Sequence, residues 1–234
     1  MSAATWYHIG VITVLNLIAI GGIHYLRQWI KEVEITRKLA HLNSGLLGLL
    51  LPRYFPVNGA LWPMLLLWIG FTGFLYFTYQ RKLLSSINGI ARKTVGAYIM
   101  PTTLTGLWFF NRLLFQKTGQ IELAYFDIPI LVLTFGDSLA AFVGSRYGKT
   151  KLHARSQKTW VGFTTIFLLS FLLYLFYSHF ISQPFVISVT TSFQNVGIGL
   201  AIAVSAAVAE AVSVRGWDNL SIPTIVFIVL VLFI

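Results

Sequence analysis

The stretch Ile130-Leu-Val-Leu-Thr-Phe-Gly-Asp-Ser-Leu-Ala-Ala-Phe-Val-Gly144-Ser-Arg-Tyr-Gly-Lys149 decides how this chain must be read. It is an apolar run with one acid, Asp137, inside it, and it ends in a basic, glycine-bearing loop that continues to Lys158. A carboxylate at membrane depth is costly and marks a functional position by default. Acids followed by Lys and Arg are also what a metal-bound polyphosphate requires, so the stretch reads as a phosphotransferase site inside a membrane protein.

Composition supports the membrane part of this reading. Only 10% of the 234 residues are charged, 56% are hydrophobic, and the mean hydropathy is +0.76. A soluble domain carries about 25% charged residues, so most of this chain is solvated by lipid or by other apolar helices. The net charge of +10 is then a topology signal and a contact for anionic lipid, and nucleic-acid binding is not expected. The lack of Cys excludes disulfides, Cys-zinc sites, thiol nucleophiles and iron–sulfur clusters.

A membrane-crossing helix needs about 20 apolar residues. About eight segments approach that length: 6–26, 39–55, 60–79, 96–115, 123–145, 160–181, 189–212 and 220–234. The expected fold is therefore an all-α, polytopic helical bundle forming one membrane-embedded domain over 1–234. With both termini outside, the inner connections 27–38, 80–95, 146–159 and 213–219 hold every Lys and Arg except Arg53, Arg112 and Lys117. That bias is the positive-inside rule, and it supports eight spans. The first segment has no positive region before it and no cleavage site after it, so it reads as a retained span. The Asn219-Leu-Ser221 glycosylation pattern falls on the inner side and is discounted.

Each polar position has a plain reading beside the chemical one. Asp137 is expected as a Mg²⁺ ligand or as the base that takes a hydroxyl proton. The alternative is a small-residue packing face, Ala140, Ala141, Gly144 and Gly148, with the acid paired to a basic residue. Gly144 to Thr150 looks like a phosphate loop but has three residues between its glycines, where the Walker pattern needs four. Its logic survives without that fold: Gly144 and Gly148 expose backbone N–H groups, while Arg146, Lys149 and Lys158 add charge. Lys151 and Arg155 are explained by topology alone. Glu210 ends the small apolar run 196–209, and Asp218-Asn219 follows shortly after. With Asp137 these acids offer the oxygen ligands that Mg²⁺ shares with phosphates; the plain reading pairs Glu210 with Arg215. Lys38 and His41 fall at helical spacing on one face, where snorkelling and packing would also account for them. Arg92-Lys93 has the same standing. No H-E-x-x-H, G-x-S-x-G or G-x-G-x-x-G pattern occurs.

Taken together, these residues resemble the phytol kinase branch of the polyprenol kinase family, and more distantly the membrane cytidylyltransferases. The similarity runs from Arg37 to Pro223. It rests on Gly136-Asp137-Ser138-Leu-Ala140, Gly144-x-x-Tyr147-Gly148-Lys149, Lys158-Thr-Trp-Val-Gly162, Glu210 with Asp218-Asn219 and Ile222-Pro223, and Arg37-Lys38-x-x-His41. Thr159 departs from the Ser common in the family but keeps the hydroxyl.

The resemblance implies an integral membrane enzyme moving a phosphoryl group from CTP, or UTP, to a long-chain prenol, with phytol the first expectation. Asp137, Lys149 and Lys158 would be catalytic. Asp137, Glu210 and Asp218 would hold Mg²⁺, and Arg146, Gly144, Gly148, Lys38, His41 and Asn219 would contact the nucleotide. Without a transit peptide, a bacterial source is expected, with the enzyme in an inner or thylakoid membrane and its site on the cytoplasmic face. A CTP-dependent lipid-phosphate cytidylyltransferase would use similar groups. A small transporter is the reading from another class, but the acids gather on one side and no inverted repeat is visible.

Overall fold

The computed structural model describes residues 3–30, 32–81, 83, 96–119, 122–152, 157–181 and 192–233. Lys31, Lys82, Arg92, Lys93 and Arg155, and the first residues of the expected segment 189–212, lie outside the described residues. Among the described residues the protein is all-helical, without a strand. The helices are α1 (Ala3–Leu26), α2 (Val33–Gly48), α3 (Leu51–Tyr54), α4 (Trp62–Gln80), α5 (Gly96–Thr118), α6 (Ala124–Tyr147), α7 (Trp160–Ile181), α8 (Ser192–Val212) and α9 (Asp218–Phe233).

Five of them are long and apolar enough to cross a membrane: α1, α4, α6, α7 and α8. The remaining expected segments are helical too, but each departs from a simple span. The second is divided between α2 and α3. The fourth, α5, carries Asn111, Arg112 and Lys117. The eighth, α9, has 16 residues, about 24 Å of helix against a hydrocarbon core of about 30 Å.

The chain divides into two compact units, Met1–Ile121 and Glu122–Ile234. In the first, α1 packs on α2 and α4, and α5 packs on α4 and α2. The connection before α4 is tied to α5. Trp108 donates through Nε1 to the Phe55 carbonyl at 2.6 Å, and Arg112 donates to the carbonyls of Val57 at 2.8 Å and Gly59 at 2.5 Å. Arg53 donates to the Leu49 carbonyl. Two cations that run against the charge bias thus satisfy backbone oxygens that a membrane would leave bare.

The second unit is built from α6, α7, α8 and α9. α6 and α7 run antiparallel, with Gly144 against Gly162 at one end and Gly136 against Ile166 further along. α8 presents Ala203, Ala206 and Ala207, all fully buried, and such small residues let apolar helices approach closely. Gly199 continues that close approach: a Cβ there would meet Tyr174 at 3.0 Å and Phe171 at 3.1 Å. Within α6, Val132–Asp137 is a π-helical stretch, one turn after Pro129, which cannot donate to the backbone ladder. Such widened turns inside α-helices occur mostly at functional sites, and this one ends on Asp137.

Candidate active site

Asp137 is 2% exposed and Glu210 3% exposed, so both acids are buried within the second unit's helices. Asp218 opens α9. The turn between α8 and α9 brings it back toward Glu210. Arg215 adopts φ 54° and Gly216 φ 92°, the left-handed region that glycine enters without a steric penalty. Trp217 N–H closes the turn on the Val214 carbonyl at 3.1 Å. Ser213 fastens it further, donating to the Ala209 carbonyl at 2.6 Å and sharing a 2.5 Å hydroxyl contact with Ser221.

Lys158 arrives from the loop between α6 and α7. Trp160 N–H donates to the Thr150 carbonyl at 3.1 Å and Leu152 N–H to the Lys158 carbonyl at 3.0 Å. These bonds pin Lys158 on a closed loop. Its ammonium lies 2.5 Å from Glu210 Oε1 and 3.4 Å from Asp218 Oδ2. Burial works to lower the Lys158 pKa, but the charges of Glu210, Asp218 and Asp137 outweigh it and hold the amine above its usual 10.5. Three carboxylates from three helices therefore act on one ammonium. A raised lysine pKa gives the pair its full stabilising effect below pH 10.5, and that effect is lost only as pH climbs through the higher folded value. Melting curves of the parent and Lys158→Met are expected to stay apart up to that pH and to converge above it; a gap that closes near neutrality would contradict this.

Thr159 organises the same corner. It caps α7, accepting from Gly162 N–H at 3.2 Å and donating to the Gly144 carbonyl at 3.4 Å. A Cβ on Gly144 would stand 2.9 Å from Thr159 Oγ1, and one on Gly148 would overlap the Thr159 side chain. Gly162 is equally confined, with the Ala140 carbonyl 3.0 Å from its Cβ position. Gly144 and Gly148, expected to cradle phosphate, here make room for the threonine that fixes the start of α7. Gly148→Ala is expected to destabilise the protein by about 1–3 kcal/mol through overpacking. Gly10→Ala, in open space, serves as the control in the same thermal melt.

The expected residues are not all brought together. Asp137, Glu210, Asp218 and Lys158 converge, and Asn219 is buried beside Asp218, its N–H 3.1 Å from Asp218 Oδ1. Arg146 and Lys149 are exposed at and just beyond the end of α6 and make no hydrogen bond or ion pair among the described residues. Lys38 and His41 lie on α2, in the first unit. The cation paired with Glu210 is Lys158, not Arg215. Among the described residues no three His, Cys, Asp or Glu side chains form a ready metal shell, so Asp137, Glu210 and Asp218 face an ammonium rather than an assembled ligand set. Their chemistry still fits a magnesium ion: all their donors are carboxylate oxygens, and Glu210 Oε2 is buried without a hydrogen-bond partner among the described residues.

The capping role of Thr159 and the burial of Asp127 are not read from the motifs. Thr159 could have been found as a capping residue directly before an apolar run. Asp127, 1% exposed, accepts a hydrogen bond from Tyr177 at 2.9 Å; an acid within an apolar segment is itself the signal.

Comparison with known proteins agrees with the motif resemblance. The model of the cytidylyltransferase family matches residues 1–232. The chain belongs to this family. Among curated members, a phytol kinase from Synechocystis sp. is 27% identical over 230 residues, 95% of this chain and 90% of that protein. A probable chloroplastic phytol kinase 2 of Glycine max is 27% identical over 201 residues, and the chloroplastic phytol kinase 1 of Arabidopsis thaliana is 24% identical over 217. The matches to these two plant members take in 82% of this chain but only 63% and 64% of the relatives, less than two thirds of their length. No solved structure matches.

Proposed function

We propose that this member of the cytidylyltransferase family is a CTP-dependent kinase that phosphorylates a long-chain isoprenoid alcohol, phytol to phytyl phosphate in the first instance. The observation that carries the reading is that Lys158 pairs with Glu210 and Asp218 and feels the charge of the buried Asp137, three acids carried by apolar helices. The phytol kinases among its relatives supply the substrate class. The family match runs across both compact units, which supports treating 1–234 as one catalytic domain. The charge bias supports eight spans with the site on the cytoplasmic side, and the relatives from Synechocystis sp. and from chloroplasts support a bacterial inner or thylakoid membrane.

Phosphoryl transfer is mostly positioning and charge neutralisation. Asp137, Glu210 and Asp218 would hold a Mg²⁺ ion, which when bound would draw charge from the nucleotide phosphates. Lys158 would give its ammonium to the same phosphates, joined from the loop by Lys149 and Arg146. Asn219 would orient Asp218 and contact the nucleotide. Gly144 and Gly148 would keep the backbone near the phosphates while Thr159 holds their spacing. UTP would serve the same contacts. The alcohol would enter from the bilayer, its tail remaining among apolar side chains.

Cytidylyl transfer is the second reading, favoured by the family's own description. The products separate the two. Incubation with phytol, phosphatidate as a lipid-phosphate acceptor, CTP and Mg²⁺ is expected to yield phytyl phosphate and CDP by mass spectrometry, with the phosphatidate unchanged. Pyrophosphate with a cytidylylated lipid would establish the other chemistry.

A further inference from the structure

Two buried hydroxyls beside Asp137 take no part in the arrangement above. Thr134 is 1% exposed and Ser138 4% exposed, and neither side-chain oxygen has a hydrogen-bond partner among the described residues. This is unusual for the second unit. A Ser or Thr in a helix commonly donates to the carbonyl three or four residues earlier. Thr164 does so to Trp160, Thr165 to Val161, Ser178 to Leu175, Ser205 to Ile202 and Ser213 to Ala209. Thr134 lies within the π-helical stretch Val132–Asp137 and Ser138 directly follows it. There the carbonyls are displaced from their ordinary register.

Ser170 on α7 is a third unpartnered hydroxyl, 3.7 Å from the Cβ position of Gly136. That contact belongs to the packed α6–α7 face. Thr134 and Ser138 stand two residues to either side of Gly136, roughly half a turn around the helix from that face. They therefore form a separate pair, one turn apart, bracketing Asp137 in sequence.

A buried hydroxyl without a partner is destabilising. Two of them beside a buried acid fit a site whose partner is supplied by a ligand, and an alcohol hydroxyl, which donates and accepts, can pair with both. Resting on the kinase reading, we propose that Thr134 and Ser138 form the seat for the hydroxyl group of the acceptor alcohol. One hydroxyl donates to the alcohol oxygen and the other accepts from the alcohol O–H until, as the oxygen bonds the γ-phosphorus and CDP leaves, that proton passes to Asp137. The seat fixes the acceptor oxygen near Asp137 and distinguishes an alcohol from a hydrocarbon of the same shape.

The test uses full-length protein in lipid with Thr134→Val and Ser138→Ala, which remove the hydroxyl with little change of shape. Each is expected to raise the KM for phytol about tenfold, as for one lost hydrogen bond, with the KM for CTP unchanged. Melting temperature should hold or rise, because no native hydrogen bond is lost. Inhibition by the hydrocarbon analogue lacking the hydroxyl should become as strong, relative to phytol, as the bare tail allows. Unchanged phytol KM in both variants would overturn the seat. So would a lower melting temperature with all kinetic constants falling together, since that marks a structural hydrogen bond. A parent protein that phosphorylates no alcohol would overturn the kinase reading itself, a result visible before any variant is made.

Discussion

Asp137→Asn is expected to lower phosphoryl transfer by at least about 10³-fold, roughly 4 kcal/mol of barrier, while the protein still inserts and folds. Asn has nearly the same shape, so the π-helical stretch and the packing of α6 on α7 remain. It lacks the charge. Whether Asp137 binds the metal or takes the hydroxyl proton, both tasks need a carboxylate. The measurement is turnover of purified variant beside its melting curve. A folded variant with parent-like turnover would remove Asp137 from the mechanism.

Lys158→Met is expected to fail twice. It takes an ammonium from the proposed phosphate site, and it leaves the buried Glu210 without its cation. Removing one partner of a buried ion pair costs about 3–5 kcal/mol, so the melting temperature should drop sharply. The second variant separates the two losses. Adding Glu210→Gln removes the stranded charge, so the double variant should regain much of the stability and none of the activity. The coupling between the sites, read from the double-mutant cycle, measures the pair itself. A Lys158→Met protein as stable as the parent would show that the 2.5 Å contact has no energetic role.

Apolar segment lengths made the all-helical architecture legible, because they report on the bilayer directly. They missed what depends on contacts distant in sequence. Glu210 and Lys158 are 52 residues apart, and no local pattern pairs them; the nearer Arg215 was the natural partner on spacing alone. Gly144 and Gly148 suggest a phosphate loop in sequence, whereas Thr159 fills the space beside them. The π-helical stretch before Asp137 has no sequence period of its own. Pro129 is its only local hint. Apolar composition made α5 and α9 visible as segments, but polar residues in one and the shortness of the other keep them off the set of clear spans.

The most direct test follows two labels through one reaction. Purified protein in lipid is incubated with phytol, phosphatidate as a lipid-phosphate acceptor, Mg²⁺ and CTP carrying label on either the α- or the γ-phosphate. The kinase account predicts that γ-label enters the lipid, α-label remains in CDP, and Asp137→Asn transfers neither. Entry of α-label into the lipid, with release of pyrophosphate, would contradict it.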